Sequence, residues 1–256
     1  MRLENLMNPP IVVDKDQRLT HAISLLKKHR ISRLLVMEHK RLCGIITEKD
    51  ILRKVGLLSE DIKVSSYHIS SCTTLDPFVL KSSDDMKKAV KLFKKRKISG
   101  IPIVNGKLVG IVTKVDVIRN FRFDGVVLEC MERDFKVVAS DDRVIHARKL
   151  LMESGSLLLP VMDEILVGVV TAKDVLYGLT EFRKKIDKHM NSLVKNFLVY
   201  EIMSRDVKTT TPDEELEGAK KVMLENKFSG LPVVEDGEIV GILTKDTLID
   251  YVSKKL

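Results

Sequence analysis

Tryptophan is absent from this 256-residue chain, and aromatic residues make up only 5% of it. Proteins that read nucleic-acid bases by stacking need such side chains, so sequence-specific readout of that kind is not supported. The three cysteines cannot form a complete paired disulfide framework and show no CxxC spacing, which predicts a reducing, cytoplasmic location. No apolar run reaches the roughly 18 residues of a membrane span, and the first residues lack the apolar region of a secretory signal.

What the chain does contain is a basic first half. The net charge is +8 overall, but residues 1–124 carry a net charge of +12 and residues 125–256 a net charge of −4. Hydrophobic residues reach 44%, which is enough for a packed core. The first half therefore suits an anionic partner such as a polyphosphate, RNA or an acidic protein face.

A short pattern of Gly, two aliphatic residues and Thr occurs four times, at 44–47, 110–113, 168–171 and 241–244. A second apolar run precedes each copy. The same place in that run is held by Leu35, Pro102, Pro160 and Pro232 in turn. Repetition at this spacing predicts four copies of one supersecondary unit.

Each copy predicts the order strand, helix, strand, strand, helix. In the second copy, 78–80 predicts a strand and Ser83 predicts the cap of a helix whose apolar residues have helical spacing. Asn105 and Gly106 predict a hairpin turn, as does 235–237 in the fourth copy. Residues 58–68 are polar and indicate a linker, and the amphipathic segment 181–198 predicts a helix that joins copies three and four.

This pattern resembles the CBS domain family. The resemblance rests on the SGIP and SGLP elements at 99–102 and 229–232, and on Gly-h-h-Thr-x-x-Asp, where h is aliphatic, which is complete in copies one to three. It implies an α/β (α+β) fold of four tandem β-α-β-β-α modules at 1–57, 68–124, 125–180 and 197–256, with 181–196 as a linking helix. It also implies two pseudo-symmetric pairs, 1–124 and 125–256, which can stack into a disc. Residues 29–34 are similar to HRxxR stretches in γ subunits of AMP-activated kinases.

The Thr and Asp of each complete motif have two compatible interpretations. A Thr that begins a helix, followed by an acid three residues later, forms a capping box without any ligand. The same carboxylate can accept both hydroxyls of a ribose, beside a helix N-terminus that suits phosphate. The resemblance implies ribose ligands at Asp50, Asp116 and Asp174. It places four threonines near ribose or phosphate: Thr47, Thr113, Thr171 and Thr244.

Copy four departs from the motif, since Thr247 stands at the Asp position, and a ribose site there is doubtful. Leu157 replaces the serine that precedes the other apolar runs. The predicted adenine wall is Leu34, Leu35, Ile101, Pro102, Leu159, Pro160, Leu231 and Pro232. The candidate phosphate cations are His29, Arg30, Arg33, Lys95, Arg96, Lys97 and Lys227.

The first functional hypothesis is a non-catalytic, energy-sensing type of regulator. It binds AMP, ADP, ATP or S-adenosylmethionine between paired modules and signals to a partner protein. The alternative is an RNA- or ribosome-associated protein that uses the basic face of residues 87–97, which holds seven Lys or Arg in eleven positions. No nucleophile elbow, phosphate-binding loop or metal-ligand spacing is present, so no enzyme, catalytic cofactor or metal is expected. The chain is expected to be a monomeric disc or a homodimer, away from membranes.

Overall fold

The computed structural model describes residues 1–55, 64–186 and 196–256, which form a mixed α+β fold. The helices are α1 Leu19–His29, α2 Glu48–Val55, α3 Met86–Arg96, α4 Lys114–Asn120, α5 Val144–Glu153, α6 Ala172–Ile186, α7 Leu216–Glu225 and α8 Lys245–Lys255. The strands are β1 Val12–Asp14, β2 Arg33–Glu38, β3 Arg41–Thr47, β4 Thr74–Leu75, β5 Gly100–Asn105, β6 Lys107–Thr113, β7 Leu158–Met162, β8 Leu166–Thr171, β9 Gly230–Glu235 and β10 Glu238–Thr244.

Every repeat is built on one antiparallel hairpin with a helix on each side of it in the chain. The hairpins are β2–β3, β5–β6, β7–β8 and β9–β10. The two predicted turns are confirmed, because Gly106 has φ +74° and Asp236 and Gly237 both have positive φ, as tight hairpin turns require. The predicted cap of α3 is wrong: Asp85, two residues after Ser83, accepts a 2.8 Å bond from the Lys88 N–H.

The first strand of the motif is complete only in repeat one. There, β1 pairs in parallel with β2, and the Leu35 N–H donates to the Ile11 carbonyl. Proline has no N–H to donate, and in the other repeats the same region forms a single bridge, at Leu80, Val138 and Thr210. The predicted strand at 78–80 is therefore only the Leu80 bridge.

Along the outer strand of each hairpin lies a short segment of the chain that directly precedes a different repeat. We call these four stretches, 1–10, 68–76, 125–135 and 197–207, the edge segments. Each contains a short 3₁₀ turn, at Leu3–Asn5, Ile69–Cys72, Val127–Glu129 and Val199–Glu201. Each then pairs antiparallel with the hairpin, and the equivalent pairs are Asn8 with Ile111, Thr74 with Ile45, Glu132 with Ile242 and Ser204 with Val169. The second segment pairs through one more residue, Leu75 with Gly44.

The edge segments explain the glycine of the repeated motif. A Cβ on Gly110 would lie 2.8 Å from the Met7 sulfur, and one on Gly168 would lie 2.8 Å from the Met203 sulfur. Real Cβ atoms do not approach heavy atoms so closely, because interiors are already close-packed. Glycine is thus required where an edge segment crosses the hairpin.

The chain forms two compact units that join alternate repeats. The odd unit contains repeats one and three, in Ile11–Asp76 and Lys136–Val207. The even unit contains repeats two and four, in Met1–Pro10, Pro77–Phe135 and Lys208–Leu256. The pairing of consecutive repeats within 1–124 and within 125–256 stays a prediction.

The core of the odd unit lies where α2 of repeat one packs on α6 of repeat three. Ile51, Leu52, Val175 and Leu176 from these helices have no exposed surface. Phe182, near the end of α6, stacks on Phe197 with ring centroids 4.5 Å apart. Residues 181–186 are the end of α6. Residues 187–195 of the predicted linking helix and 58–63 of the predicted linker lie outside the described residues.

The core of the even unit lies where α8 of repeat four packs on α3 and α4 of repeat two. Phe93, Val117 and Leu248 are almost wholly buried there. Phe123 packs at one side of this core, 5.6 Å from the Tyr251 ring. In the part of the chain that the structure describes, no helix is both long and apolar enough to cross a membrane.

Candidate functional site

A Thr–Asp clamp, meaning the motif Thr and the Asp three residues later, begins the last helix of repeats one to three. In each clamp the Thr hydroxyl donates to one carboxylate oxygen, Oδ2, at 2.6 Å. The Thr backbone N–H donates to the same oxygen, at 3.0 Å for Thr47, 2.7 Å for Thr113 and 2.9 Å for Thr171. The capping geometry predicted from the spacing is thus present, and it occupies one oxygen of each carboxylate.

The clamps differ in what holds the second oxygen, Oδ1. In repeat two, the Asn8 side-chain amide donates to Oδ1 of Asp116 at 2.8 Å, and the Arg119 guanidinium lies 3.9 Å away. Asp116 is only 4% exposed. Both oxygens of this carboxylate are therefore bonded within the protein.

In repeat one, the Arg53 guanidinium donates to Oδ1 of Asp50 at 3.2 Å. The two residues are one helical turn apart, and the Arg53 side chain is 63% exposed. Exposed pairs of this kind contribute about 0–1 kcal/mol. Oδ1 of Asp50 is thus held more weakly than Oδ1 of Asp116.

In repeat three, Oδ1 of Asp174 has no hydrogen-bond partner among residues 1–55, 64–186 and 196–256. Burial raises the pKa of Asp174, and the bonds from Thr171 and the charge of Lys173 only partly oppose it. A partly buried carboxylate with one free oxygen can accept hydrogen bonds from a ligand.

Repeat four has no carboxylate at this position. The Thr247 N–H donates to the Thr244 hydroxyl at 3.1 Å, which caps α8 without an acid. The neighbouring Asp246 turns away and forms a 2.7 Å ion pair with Lys114 of repeat two, whose side chain is 8% exposed. The departure of repeat four from the motif has thus produced a helix cap and an ion pair inside the even unit.

The predicted adenine wall divides into two faces. Leu34, Ile101, Leu159 and Leu231 belong to the core clusters of the two units and are at most 1% exposed. Successive residues of a strand point to opposite faces. The other half of the predicted wall, Leu35, Pro102, Pro160 and Pro232, therefore faces away from these cores, although these four residues are buried as well.

Three of the candidate phosphate cations have a structural role that the sequence did not indicate. Arg30, Lys97 and Lys227 follow α1, α3 and α7 with φ values of 52°, 51° and 58°, and Gly155 stands there in repeat three with φ +71°. Helices commonly end in this left-handed conformation, and a cation near a helix C-terminus is favourable.

The other four cations lie beside this turn. Arg33 donates to the Ser32 hydroxyl at 2.7 Å, and the Arg96 guanidinium lies 4.6 Å from the Phe78 ring centroid. His29 is the last residue of α1, and Lys95 is in the last turn of α3.

Sequence reasoning missed a polar cluster between α2 and α6. The Tyr177 hydroxyl donates to Oε1 of Glu48 at 3.2 Å. Burial raises the pKa of Glu48 to about 7, with Lys173 and Arg33 opposing the rise and Asp174 adding to it. Glu48 directly follows the clamp Thr47, but the partners lie 129 residues away, so no local signal reveals the cluster.

A second missed contact brings a cation to the turn of repeat three. Lys49 of repeat one donates to the backbone carbonyls of Gly155 and Ser156, at 2.8 and 3.0 Å. That turn has no Lys or Arg of its own. Lys49, which belongs to another repeat of the odd unit, therefore brings a positive charge to this turn.

Comparison with protein families decides the classification. The model of the CBS domain matches residues 3–57, 67–122, 127–181 and 199–254. The chain belongs to the CBS domain family. These four matches cover most of the chain, and they agree with the four hairpins and their flanking helices.

Several relatives share this family and this fold. The uncharacterized protein MJ1225 of Methanocaldococcus jannaschii is 26% identical over 90% of this CBS protein and 90% of its own length. Its solved structure, titled a candidate archaeal homologue of g-AMPK, has a TM-score of 0.88 at 24% identity, over 98% of this chain and 100% of that one. MJ1426 of the same organism is 32% identical over 68% of this chain and 84% of its own length.

A third comparison extends the fold to another organism. An uncharacterized conserved protein from Pyrococcus horikoshii superposes with a TM-score of 0.67 and is 26% identical, over 98% of this chain and 100% of that one. Within the described residues of this CBS protein, no group of three or more His, Cys, Asp or Glu side chains is placed to hold a metal ion.

Proposed function

We propose that this CBS protein is a non-catalytic regulatory sensor that binds an adenosine-containing ligand, namely AMP, ADP, ATP or S-adenosylmethionine. The observation that carries the proposal is the Thr171–Asp174 clamp. One carboxylate oxygen is bound by the Thr171 hydroxyl and N–H, and the other has no partner among the described residues. A fixed carboxylate with a free oxygen is suited to the paired hydroxyls of a ribose.

The capping bonds prepare the clamp for that role. They hold the carboxylate in one orientation before any ligand arrives, so little conformational entropy is lost on binding. Hydrogen bonds to an ionised acceptor are also stronger than those between neutral groups. The cap and the proposed ribose contact use different oxygens, so Asp174 serves both.

The proposed phosphate and adenine contacts come from the same repeats. Leu35, Pro102, Pro160 and Pro232 remain the wall residues because they face away from the unit cores. Lys49 joins the phosphate candidates because it already lies against carbonyl oxygens at the turn of repeat three. A ligand that prefers one conformation of the protein shifts the population toward it, and a regulated partner protein responds to that shift.

Thermal unfolding tests this function directly. The protein is heated alone and with millimolar AMP, ADP, ATP or S-adenosylmethionine. A ligand at 100 times its Kd adds about 2.7 kcal/mol of stability, which raises the Tm by several degrees. The triple variant Asp50→Ala, Asp116→Ala and Asp174→Ala is expected to lose the shift.

The matched control is Asp141→Ala, which removes an exposed carboxylate in the odd unit outside any clamp. It is expected to keep the ligand-induced rise in Tm. If none of the four ligands raises the Tm of the wild type, the clamps are helix caps and the proposed function is wrong.

A second candidate function, RNA or ribosome association, is favoured by the free cations on α3. Lys88 and Lys94 pair with Asp84 and Asp250. Lys91 and Lys95 are exposed and have no ion-pair partner within the described residues. Unpaired lysines on one helix face can contact a phosphate backbone.

Charge reversal distinguishes this candidate. The double variant Lys91→Glu and Lys95→Glu is expected to weaken binding to ribosomal RNA and to reduce the salt dependence of that binding. The control is Asp250→Asn, which frees Lys94 and is not expected to weaken RNA binding. Equal RNA affinity for the wild type and the double variant removes this function. The cysteine content keeps the cytoplasm as the proposed location for either function.

A further inference from the structure

One register position in the edge segments pairs with the strand that leads into each of the four helix caps. Asn8, Thr74, Glu132 and Ser204 each pair with the residue two places before the motif Thr. We call these four residues the edge position. Each comes from a segment outside the repeat that it faces, so the side chain there varies independently of the motif.

At Asp116, the residue at the edge position donates a hydrogen bond to the clamp carboxylate. The Asn8 backbone exchanges two hydrogen bonds with Ile111, at 2.9 and 3.0 Å, which holds the residue against the hairpin. Its side-chain amide then donates to Oδ1 of Asp116 at 2.8 Å. That oxygen is the one that the capping bonds leave open in every clamp.

At Asp174, the same backbone arrangement carries a shorter side chain. Ser204 exchanges bonds of 2.9 and 3.0 Å with Val169, so it is fixed as firmly as Asn8. No hydrogen bond joins the Ser204 hydroxyl to Asp174 in the described part of the chain, and Oδ1 stays open. The two clamps differ at this contact and hardly at all in their capping bonds.

We propose that the edge position determines which clamp binds the adenosine ligand: Asn8 closes the Asp116 clamp, and Ser204 leaves the Asp174 clamp open. This inference rests on the proposed function of the clamps. A ribose at Asp116 has to displace a hydrogen bond to a buried carboxylate, whereas a ribose at Asp174 gains one where none exists. Asp50, whose Oδ1 accepts a bond from the exposed Arg53 side chain, is intermediate.

Exchange of the two edge residues tests the inference. Ser204→Asn introduces at Asp174 the amide that closes Asp116, and Asn8→Ser opens Asp116. The matched control, Ser204→Ala, removes the hydroxyl without adding an amide. Isothermal titration calorimetry is performed with AMP, ADP, ATP and S-adenosylmethionine in separate titrations. Circular dichroism confirms that each variant is folded.

The inference gives a distinct result for each variant. Ser204→Asn is expected to weaken binding at least tenfold or to remove one site, as Asp174→Ala does, while Ser204→Ala binds like the wild type. Asn8→Ser is expected to add one bound ligand per chain, and the further change Asp116→Ala removes it again. In the wild-type background, Asp116→Ala leaves binding unchanged.

The opposite results separate two failures. If the wild type binds a ligand but Ser204→Asn binds it equally well and Asn8→Ser gains no site, the edge position does not select the clamp, and the proposed function still stands. If Asp116→Ala weakens binding by the wild type, the closed clamp is in use and the inference is wrong. If the wild type binds none of the four ligands, the proposed function fails and the inference fails with it.

Discussion

The buried Glu48 predicts how the stability of this CBS protein depends on pH. Its carboxyl accepts a 3.2 Å bond from the Tyr177 hydroxyl, at the contact between α2 and α6. Burial raises its pKa from 4.5 to about 7. The facing charged groups are Arg33, Lys173 and Asp174, and the two cations do not cancel the effect of burial.

The sign follows from proton binding. Between about pH 4.5 and 7, the folded protein holds a proton on Glu48 that the unfolded chain has lost, so stability falls as the pH rises through this range. Integration from pH 5 to pH 8 with these two pKa values gives a loss of roughly 2–3 kcal/mol in the free energy of unfolding. Glu48→Gln keeps an oxygen for Tyr177 and has no proton to lose, so it should remove that part of the decrease.

Urea unfolding followed by circular dichroism at pH 5 and pH 8 measures this difference. Between these two pH values, Glu48→Gln is expected to lose roughly 2–3 kcal/mol less stability than the wild type. Glu164→Gln, an exposed glutamate in the odd unit, is the control and should keep the wild-type profile. If Glu48→Gln loses as much stability between the two pH values as the wild type does, Glu48 does not hold the extra proton.

Three further predictions concern a close backbone contact, a buried ion pair and a hydrogen bond, and urea unfolding measures each. Gly110→Ala is expected to lower the free energy of unfolding by about 1–3 kcal/mol, because the new Cβ meets the flexible Met7 side chain. Gly44→Ala is expected to lower it more, because its Cβ would lie 2.8 Å from a backbone carbonyl oxygen. Equal losses of stability would contradict this. Asp246→Asn should destabilise more than Lys114→Met, since only the former leaves a buried ammonium without its anion, and the reverse order would refute it. Asn8→Ala should cost about 1.5–3 kcal/mol by removing a hydrogen bond to a charged group, and an unchanged stability would show that this bond contributes little.

Local features were predictable from the sequence because they depend on residues a few places apart. The Asn105–Gly106 turn and the capping bond from Thr113 to Asp116 are of this kind, since backbone sterics and one side chain decide each. The predicted cap of α3 at Ser83 was wrong because the first helical turn closes on Asp85, two residues later. Because these local patterns occur in several copies at regular spacing, the CBS family was recognisable from the sequence.

The division of the predicted adenine wall into two faces was predictable from the sequence. Alternation along a strand places Leu34 and Leu35 on opposite faces. The structure assigns Leu34 to a core cluster and leaves the Leu35 position outside it. Strand periodicity applied to every repeat would have shortened the list of wall residues by half.

The sequence alone determined the four repeats, their family and their capping motifs, because each of these depends on residues that are close together in the chain. Only the tertiary structure decided that alternate repeats share a unit, that Asn8 reaches Asp116 across 108 residues, and that Lys49 reaches Gly155 across 106. The three Thr–Asp motifs look equivalent in the chain. They differ in the fold because Oδ1 of Asp116 meets Asn8 from a distant segment, whereas Oδ1 of Asp50 meets Arg53 on the same helix and Oδ1 of Asp174 has no partner among the described residues. Packing, not local propensity, brings Asn8 to Asp116.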